Sequence, residues 1–496
     1  MMLTLGNWEP DRGAPDTGLL VEARNAHPSS VGWEPMGSLT EHGSTALPSA
    51  CLGLFFAKSK TGSYQVFAGT ATKLYKLVAG TWTDYSRLAG GDYAASAASR
   101  WRAGQWGGLL ILVNGIDAPQ VLDVDGVGVN FAALAGSPPT ASDISVVGDF
   151  VFLNDSTNER RLMWCSTDGP NTATSWTIGT KLCDEYIAPD GGGISVPRLG
   201  EYGLCLQTDD AARRVVLQPG DPVAAFRFEK IEGARGYVHH NSVVQAGGRL
   251  FYLAEDGWYS LSADGTNTPV GTSRVNEWFL RTNAVDLDRI EQVVGIADPE
   301  HSRIYWMYHT TSSSTVYDGM LGYDWLLDRW FHGDGFGAYA LAPVAIPGIT
   351  LEQLGALYPD LDAVPASLDA RQFNGGRITL GGVTSSGELA FLDGPALEAT
   401  FRTAPAYLIP GRRALVNEIE PIGEWGDSAL SVRIGHRERM TGVPAYTAPQ
   451  SPSSETGIVY PRISARIFEF ELTIAEGGDW QYAQAISTTE QQDGMR

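Results

Sequence analysis

Two adjacent histidines, His239-His240, are the side chains of this sequence best suited to proton transfer or metal binding, because imidazole titrates near neutrality and ligates metals when neutral. No further His or Cys lies nearby at ligand spacing, and an extended strand would send the two rings to opposite faces. The pair therefore reads as structural or interfacial. Glycoside hydrolysis needs two carboxylates at a set separation. Asp209-Asp210 offers a pair, but at a hairpin tip, where a solvated turn is expected. Asp123-x-Asp125-Gly126 opens like a calcium loop yet lacks the spacer and closing Glu, so it too reads as a turn. Ser166-Thr-Asp168-Gly-Pro-Asn-Thr-Ala-Thr-Ser-Trp176 is close to the S-x-D-x-G-x-x-W box of sialidase-type propellers. Its glycine comes one position early and its tryptophan three late, and it does not recur, which leaves a turn with a packed Trp. Gly191-Gly-Gly193 has no following helix to aim amides at a phosphate and reads as a flexible loop. There is no Gly-x-Ser-x-Gly nucleophile elbow. Cys51, Cys165, Cys183 and Cys205 lack CxxC spacing and read as core thiols of a reduced, cytoplasm-made protein. No catalytic, cofactor-binding or metal-binding residue is assigned.

The elements that would position such residues are strands. A short apolar strand, a tight turn and a second, aromatic-rich strand recur about six times. The clearest copy is Gly248-Arg-Leu-Phe-Tyr-Leu-Ala-Glu-Asp-Gly-Trp-Tyr-Ser-Leu261. Others open at Tyr64, Gly108, Asp149, Tyr202 and Arg303, with start-to-start spacings of 44, 41, 53, 46 and 55 residues. A four-stranded propeller blade takes about 40–50 residues. Residues 108–115 (GLLILVNG) are apolar at nearly every position, as a strand covered on both faces requires. Residues 73–86 mix apolar and polar positions, which suits strands nearer the rim. Asp125-Gly126, Asp256-Gly257 and Asp264-Gly265 mark hairpins.

The expected fold is all-β: a six- or seven-bladed β-propeller over 51–345, closed by strands in 373–396, with an extended N-terminal docking arm over 1–50 and a C-terminal β-sandwich over 397–496. Trp8 and Trp33 in the arm would need a partner surface to be buried. Between propeller and closing strands, 346–372 reads as an insertion with one short helix, opened by Thr350 and stopped by Pro359. The sandwich rests on alternating runs such as Arg466-Ile-Phe-Glu-Phe-Glu-Leu-Thr-Ile474.

The chain has 496 residues, with 35 Lys and Arg against 57 Asp and Glu, a net charge of −22. That balance opposes tight phosphate-backbone binding, which needs clustered cations. It suits solubility, or a conduit that must not hold a sliding polyanion. Arg412-Arg413 and Arg433, Arg437 and Arg439 are interleaved with Glu418, Glu420 and Glu438, a pattern of a salt-bridged surface or subunit contact. No apolar run is long enough for a membrane span. The first residues lack the basic region and apolar stretch of a secretory signal.

Several stretches, in order, resemble the tail nozzle, or tail hub, proteins of short-tailed bacteriophages, also described as packaged-DNA stabilisation proteins. They are Trp8-Glu-Pro-Asp11, Ala23-Arg-Asn-Ala-His-Pro28 and Gly32-Trp-Glu-Pro35 in the arm. Within the propeller they are Arg161-Leu-Met-Trp-Cys-Ser166 with Trp176, Ser242-Val-Val to Gly248, Phe251-Tyr-Leu, Asp256-Gly-Trp-Tyr259, Arg274-Val275 and Tyr323-Asp to Arg329-Trp330. Ser367-Leu-Asp369 with Gly375-Gly376, and Arg466 to Trp480, complete the series. The resemblance implies a virion tail protein made in the host cytoplasm. It would form a homo-oligomeric ring, six copies being expected, below the head-tail adaptor and portal, with tail fibre, spike or needle proteins as further partners. DNA would be retained and then conducted through the ring with only transient, non-sticky contact. No cofactor and no catalytic residue is implied. The contrasting reading is a glycan-active propeller, hydrolase or lectin, acting on host surface polysaccharide; a third is an intracellular interaction hub.

Overall fold

The computed structural model describes residues 1–12, 18–126, 128, 130–199, 203–218, 220, 225–281, 285–310, 315–345, 355, 360, 364 and 377–493. The expected insertion over 346–372 and its helix, like Ser367-Leu-Asp369 and Gly375-Gly376, lie outside the described residues, apart from single positions.

Each recurring motif becomes the second and third strands of a four-stranded antiparallel blade. Blade 1 is Gly53–Lys58, Tyr64–Gly69, Leu74–Val78 and Thr81–Asp84. Blade 2 is Arg102–Trp106, Leu109–Val113, Gln120–Asp123 and Ala132–Ala133. Blade 3 is Ile144–Val147, Phe150–Asn154, Arg161–Trp164 and Asp184–Ile187. Blade 4 is Ile194–Ser195, Leu204–Gln207, Ala212–Leu217 and Phe226–Ile231. Blade 5 is Val244–Ala246, Arg249–Ala254, Gly257–Ser262 and Asn267–Pro269. The second strands carry the strongest apolar signal because they are hydrogen-bonded on both edges and covered on both faces. Phe150–Asn154 and Arg303–Tyr308 are buried at every position.

Blades 6 and 7 share one long strand, Arg329–Ala345. Its first half pairs with Tyr317–Asp324, behind Arg303–Tyr308 and Val294–Ala297. From Ala338 onward it pairs with Ile378–Thr384, which pairs with Leu389–Phe391. The outer strand of blade 7 is Thr40–Glu41, from the N-terminal segment. Among the described residues the blades number seven, and the ring is closed by hydrogen bonds between distant parts of the chain. Packing closes it as well: Leu54, Val66 and Trp82 of blade 1 share a core with Val344, Val383 and Phe391 of blade 7. Inner strands approach closely enough to demand glycine in places. A Cβ on Gly295 of blade 6 would lie 2.1 Å from the Val244 side chain of blade 5.

The C-terminal region forms the expected sandwich, with strands that the C-terminal sequence alone does not contain. One sheet runs Ala26–Pro28, Trp33–Pro35, Tyr482–Asp493, Arg413–Glu424, Ile463–Ala465, with Met2–Thr4 also on Tyr482–Asp493. The other runs Leu20–Arg24, Ala399–Thr403, Ile467–Ile474, Leu430–Arg437, Ala445–Tyr446. Phe401, Val416, Ile419, Val432, Phe468, Phe470, Trp480 and Ile486 belong to the core they enclose. Leu20–Arg24 also pairs with blade 6, Arg24 opposite His332.

This corrects the expectation for residues 1–50. The segment is extended, but its partner is its own chain: Trp8 and Trp33 are both 0% exposed. The sandwich and blade 6 supply the apolar surface that a partner was expected to provide.

Candidate functional site

The stretches that looked dispersed in sequence converge where the N-terminal segment, blade 6 and the sandwich meet. Arg329 sends its guanidinium into the loop between Ala26–Pro28 and Trp33–Pro35. It donates to the carbonyls of Ser29, Gly32 and Gly6 at 3.0, 2.9 and 2.8 Å. The same group lies over the Trp33 ring, and the Trp33 indole N–H donates to Leu5 O. Glu34 pairs with Arg303. Asp324 accepts from Ser302 Oγ and from the N–H groups of Leu326 and Leu327, shaping the turn that precedes Arg329.

A second knot joins Trp8-Glu-Pro-Asp11 to Arg274-Val275. Glu9 lies between Arg12 and Arg274, at 2.8 and 3.2 Å. Arg274 also reaches Asp328 at 2.7 Å, and Tyr323 donates to the same carboxylate. Asp11 accepts from the N–H groups of Glu277 and Trp278, satisfying free donors in the first turn of the helix Asn276–Arg281. These contacts are structural joints between the N-terminal segment and the propeller.

Among the described residues the propeller axis is lined by the seven inner strands, with hollows between them. One, about 310 Å³, lies between blades 1, 5, 6 and 7; another, about 290 Å³, lies between blades 2, 3, 4 and 5. The first is walled mainly by apolar side chains, whereas the second mixes apolar residues with Arg102, Gln105, Asp143, Ser145, Ser195, Arg198 and Gln245. The polar centre of the second is Asp143, which accepts from Arg102 Nη1 at 2.6 Å, from Ser195 Oγ and from the N–H of Val196 at 3.3 Å.

A third hollow, about 350 Å³, opens on the face where each outer strand hands over to the next inner strand. Its walls are Ser99, Ser142, Asn154, Glu159, Gly193, Thr208, Tyr237, His239 and His240, drawn from blades 2 to 5 and their links. Here the sequence expectation for the histidines is corrected. The backbone leaves the extended conformation after His239 and enters a 3-10 turn, His240–Ser242. The two rings consequently stand side by side, 4.1 Å apart, instead of on opposite faces. Burial, with the nearby Arg102 charge, pushes His239 down to about 4 and His240 well below its ordinary value. His239 Nδ1 accepts from Asn241 N–H at 3.3 Å, so in the neutral ring the proton sits on Nε2.

The glycine run is also corrected. Gly191-Gly-Gly193 is a tight crossing: Gln207 Nε2 donates to Gly192 O, and Tyr237 O–H and Thr208 N–H donate to Gly193 O. A Cβ on Gly192 would lie 1.9 Å from Thr208 Oγ1. Asp209 and Asp210 do sit at a hairpin tip. Asp210 is tied to Gly236 N–H and Arg235 at 2.9 and 2.8 Å, which holds its carboxyl below the usual range. Asp123 and Asp125 form a turn in which Asp123 accepts from Asp125 N–H. Trp176 is packed, its indole bonded to Pro170 O, and Asp168 pairs with Lys181.

In the sandwich, Arg413 pairs with Glu438 and Arg433 with Glu471. The four cysteines are unpaired. Among the described residues, no group of three or more His, Cys, Asp or Glu is placed to hold a metal, and no helix is long and apolar enough to cross a membrane.

No family model and no curated protein matches this sequence. Among solved structures it is similar to the extracellular domain of the hybrid two-component system BT4673 from B. thetaiotaomicron, at 10% identity and a TM-score of 0.41, covering 86% of this chain and 48% of that one. A similar domain, BT3049, gives 8% identity and a TM-score of 0.38 over 83% and 50%. The chain spans about half the length of these two domains. YCF48 bound to D1 peptide gives 12% and 0.34 over 62% and 86%. The fold assignment rests on the strand pairing described above.

Proposed function

We propose that this chain is the structural subunit of a tail-nozzle ring in a short-tailed bacteriophage, retaining packaged DNA below the portal and adaptor and conducting it during ejection. One observation carries the reading. Several of the ordered sequence stretches that resemble nozzle proteins contain residues that join propeller to sandwich: Glu9, Asp11, Trp33, Glu34, Arg274, Tyr323 and Arg329. A ring subunit under pressure from packed DNA needs its two parts held as one block, and this seam is built to do that.

Two physical facts are compatible with the proposal. The axial hollows of a single propeller are far too narrow for a duplex, whose major groove alone is about 12 Å wide. A DNA channel would therefore have to lie between copies, closed by repeated head-to-tail contacts. The net charge of −22 disfavours adhesion to phosphates, and within about 8 Å at physiological salt lumen-facing carboxylates would still repel DNA.

Electron microscopy of the purified protein tests the proposal. A ring with a central channel is expected, alone or on addition of the adaptor. A persistent monomer in both conditions, or tight duplex binding at moderate salt, would overturn it.

A further inference from the structure

We propose that the hollow holding His239 and His240 binds an uncharged, polyhydroxylated ligand, a sugar ring or the end of a short glycan. The site goes beyond the ring reading and does not depend on it, because all its walls come from one chain.

The chemistry of the walls selects the ligand. His239 presents an Nε2–H, its Nδ1 being engaged by Asn241 N–H. No hydrogen bond is made by the His240 ring among the described residues, and it stands beside His239 at 4.1 Å. Neutral imidazoles offer both a donor and an acceptor, and hydroxyl groups match both at once. Thr208, Ser99 and the exposed carboxylate of Glu159 extend the polar lining. An anion is a poor fit. The histidines that would attract it stay unprotonated, and Arg102 is already committed to Asp143 and to the carbonyl of His240. A metal cation is a poor fit because, among the described residues, no group of three or more His, Cys, Asp or Glu is gathered there. The hollow of about 350 Å³ falls within the usual range of small-ligand pockets, roughly 300–1,000 Å³. The polar lining comes from strand ends and links of a single chain.

Saturation-transfer NMR on the full chain at neutral pH tests this, with D-glucose, D-galactose, N-acetyl-D-glucosamine and maltose as probes and inorganic phosphate as competitor. Transfer to at least one sugar is expected, unaffected by phosphate. His240→Phe keeps an aromatic ring but removes the nitrogens, and should weaken binding at least about tenfold, a loss of about 1.4 kcal/mol. Thr208→Val serves as a second variant at the rim should His240→Phe fail to fold, with a smaller loss in the same direction. Binding should persist from pH 7.5 to about 5.5, where an ordinary histidine charges. No transfer to any of the four sugars, displacement by phosphate, or loss of binding at the lower pH would each overturn the proposal. Ring formation is read separately by microscopy, so failure here leaves the nozzle reading standing, and the reverse.

Discussion

The Arg329 guanidinium lies 4.6 Å from the centre of the Trp33 ring, joining the turn before blade 6's long strand to the N-terminal segment. Burial pushes Arg329 down to about 10, yet the group is held by three carbonyls and an aromatic face instead of a carboxylate. Planar guanidinium suits that arrangement, since its fork of N–H donors can serve several acceptors while stacking on a ring. Arg329→Met would leave the carbonyls of Gly6, Ser29 and Gly32 without that donor. A loss of about 3 kcal/mol is expected in urea unfolding, and Arg329→Lys should recover only part of it.

Removing residues 1–49 should not yield a trimmed, folded protein. Blade 7 would lose Thr40–Glu41, and the sandwich would lose Met2–Thr4, Leu20–Arg24 and Trp33. The expected product is aggregated or lacks near-UV aromatic dichroism. A soluble monomer with native dichroism would show that these strands are dispensable.

Stability should fall on mild acidification. His27 is buried, its Nε2 facing Tyr305 O–H at 3.2 Å, and burial followed by the Arg303 charge holds it well below the ordinary 6.5. His239 and His240 are lowered as well. The unfolded chain therefore binds more protons below about pH 6.5, so stability is complete above that value and declines as pH drops. Each such histidine contributes a slope of about 1.4 kcal/mol per pH unit. Urea midpoints measured from pH 7 to 5 should decrease, and His27→Gln should flatten the decrease.

Gly236→Ala should be poorly tolerated. An added Cβ would lie 2.1 Å from Thr208 O and 2.6 Å from Asp210 N, backbone atoms that cannot swing aside. A loss of about 2 kcal/mol is expected, with local opening of the 204–217 hairpin visible by hydrogen exchange. Gly220→Ala, where no atom lies within 4 Å of the added Cβ, is a control for space; its positive φ alone sets its cost.

The repeat was legible because its signal is local. Phe150–Asn154 and Arg249–Ala254 are largely apolar because second strands are covered on both faces, and Asp256-Gly257 and Asp264-Gly265 carry the turn chemistry of tight connections. The candidate pocket was not legible. Its histidines were visible, but their meeting depends on a short 3-10 turn with no residue signature of its own.

The sequence by itself determined an all-β propeller with a C-terminal sandwich, since strand periodicity and turn residues act over a few positions. Only the tertiary structure decided that Thr40–Glu41 completes blade 7, that Trp8 and Trp33 are buried by their own chain, and that His239 and His240 share one pocket. Each of those outcomes depends on long-range packing or on a backbone turn fixed by it, and no local pattern encodes such partners.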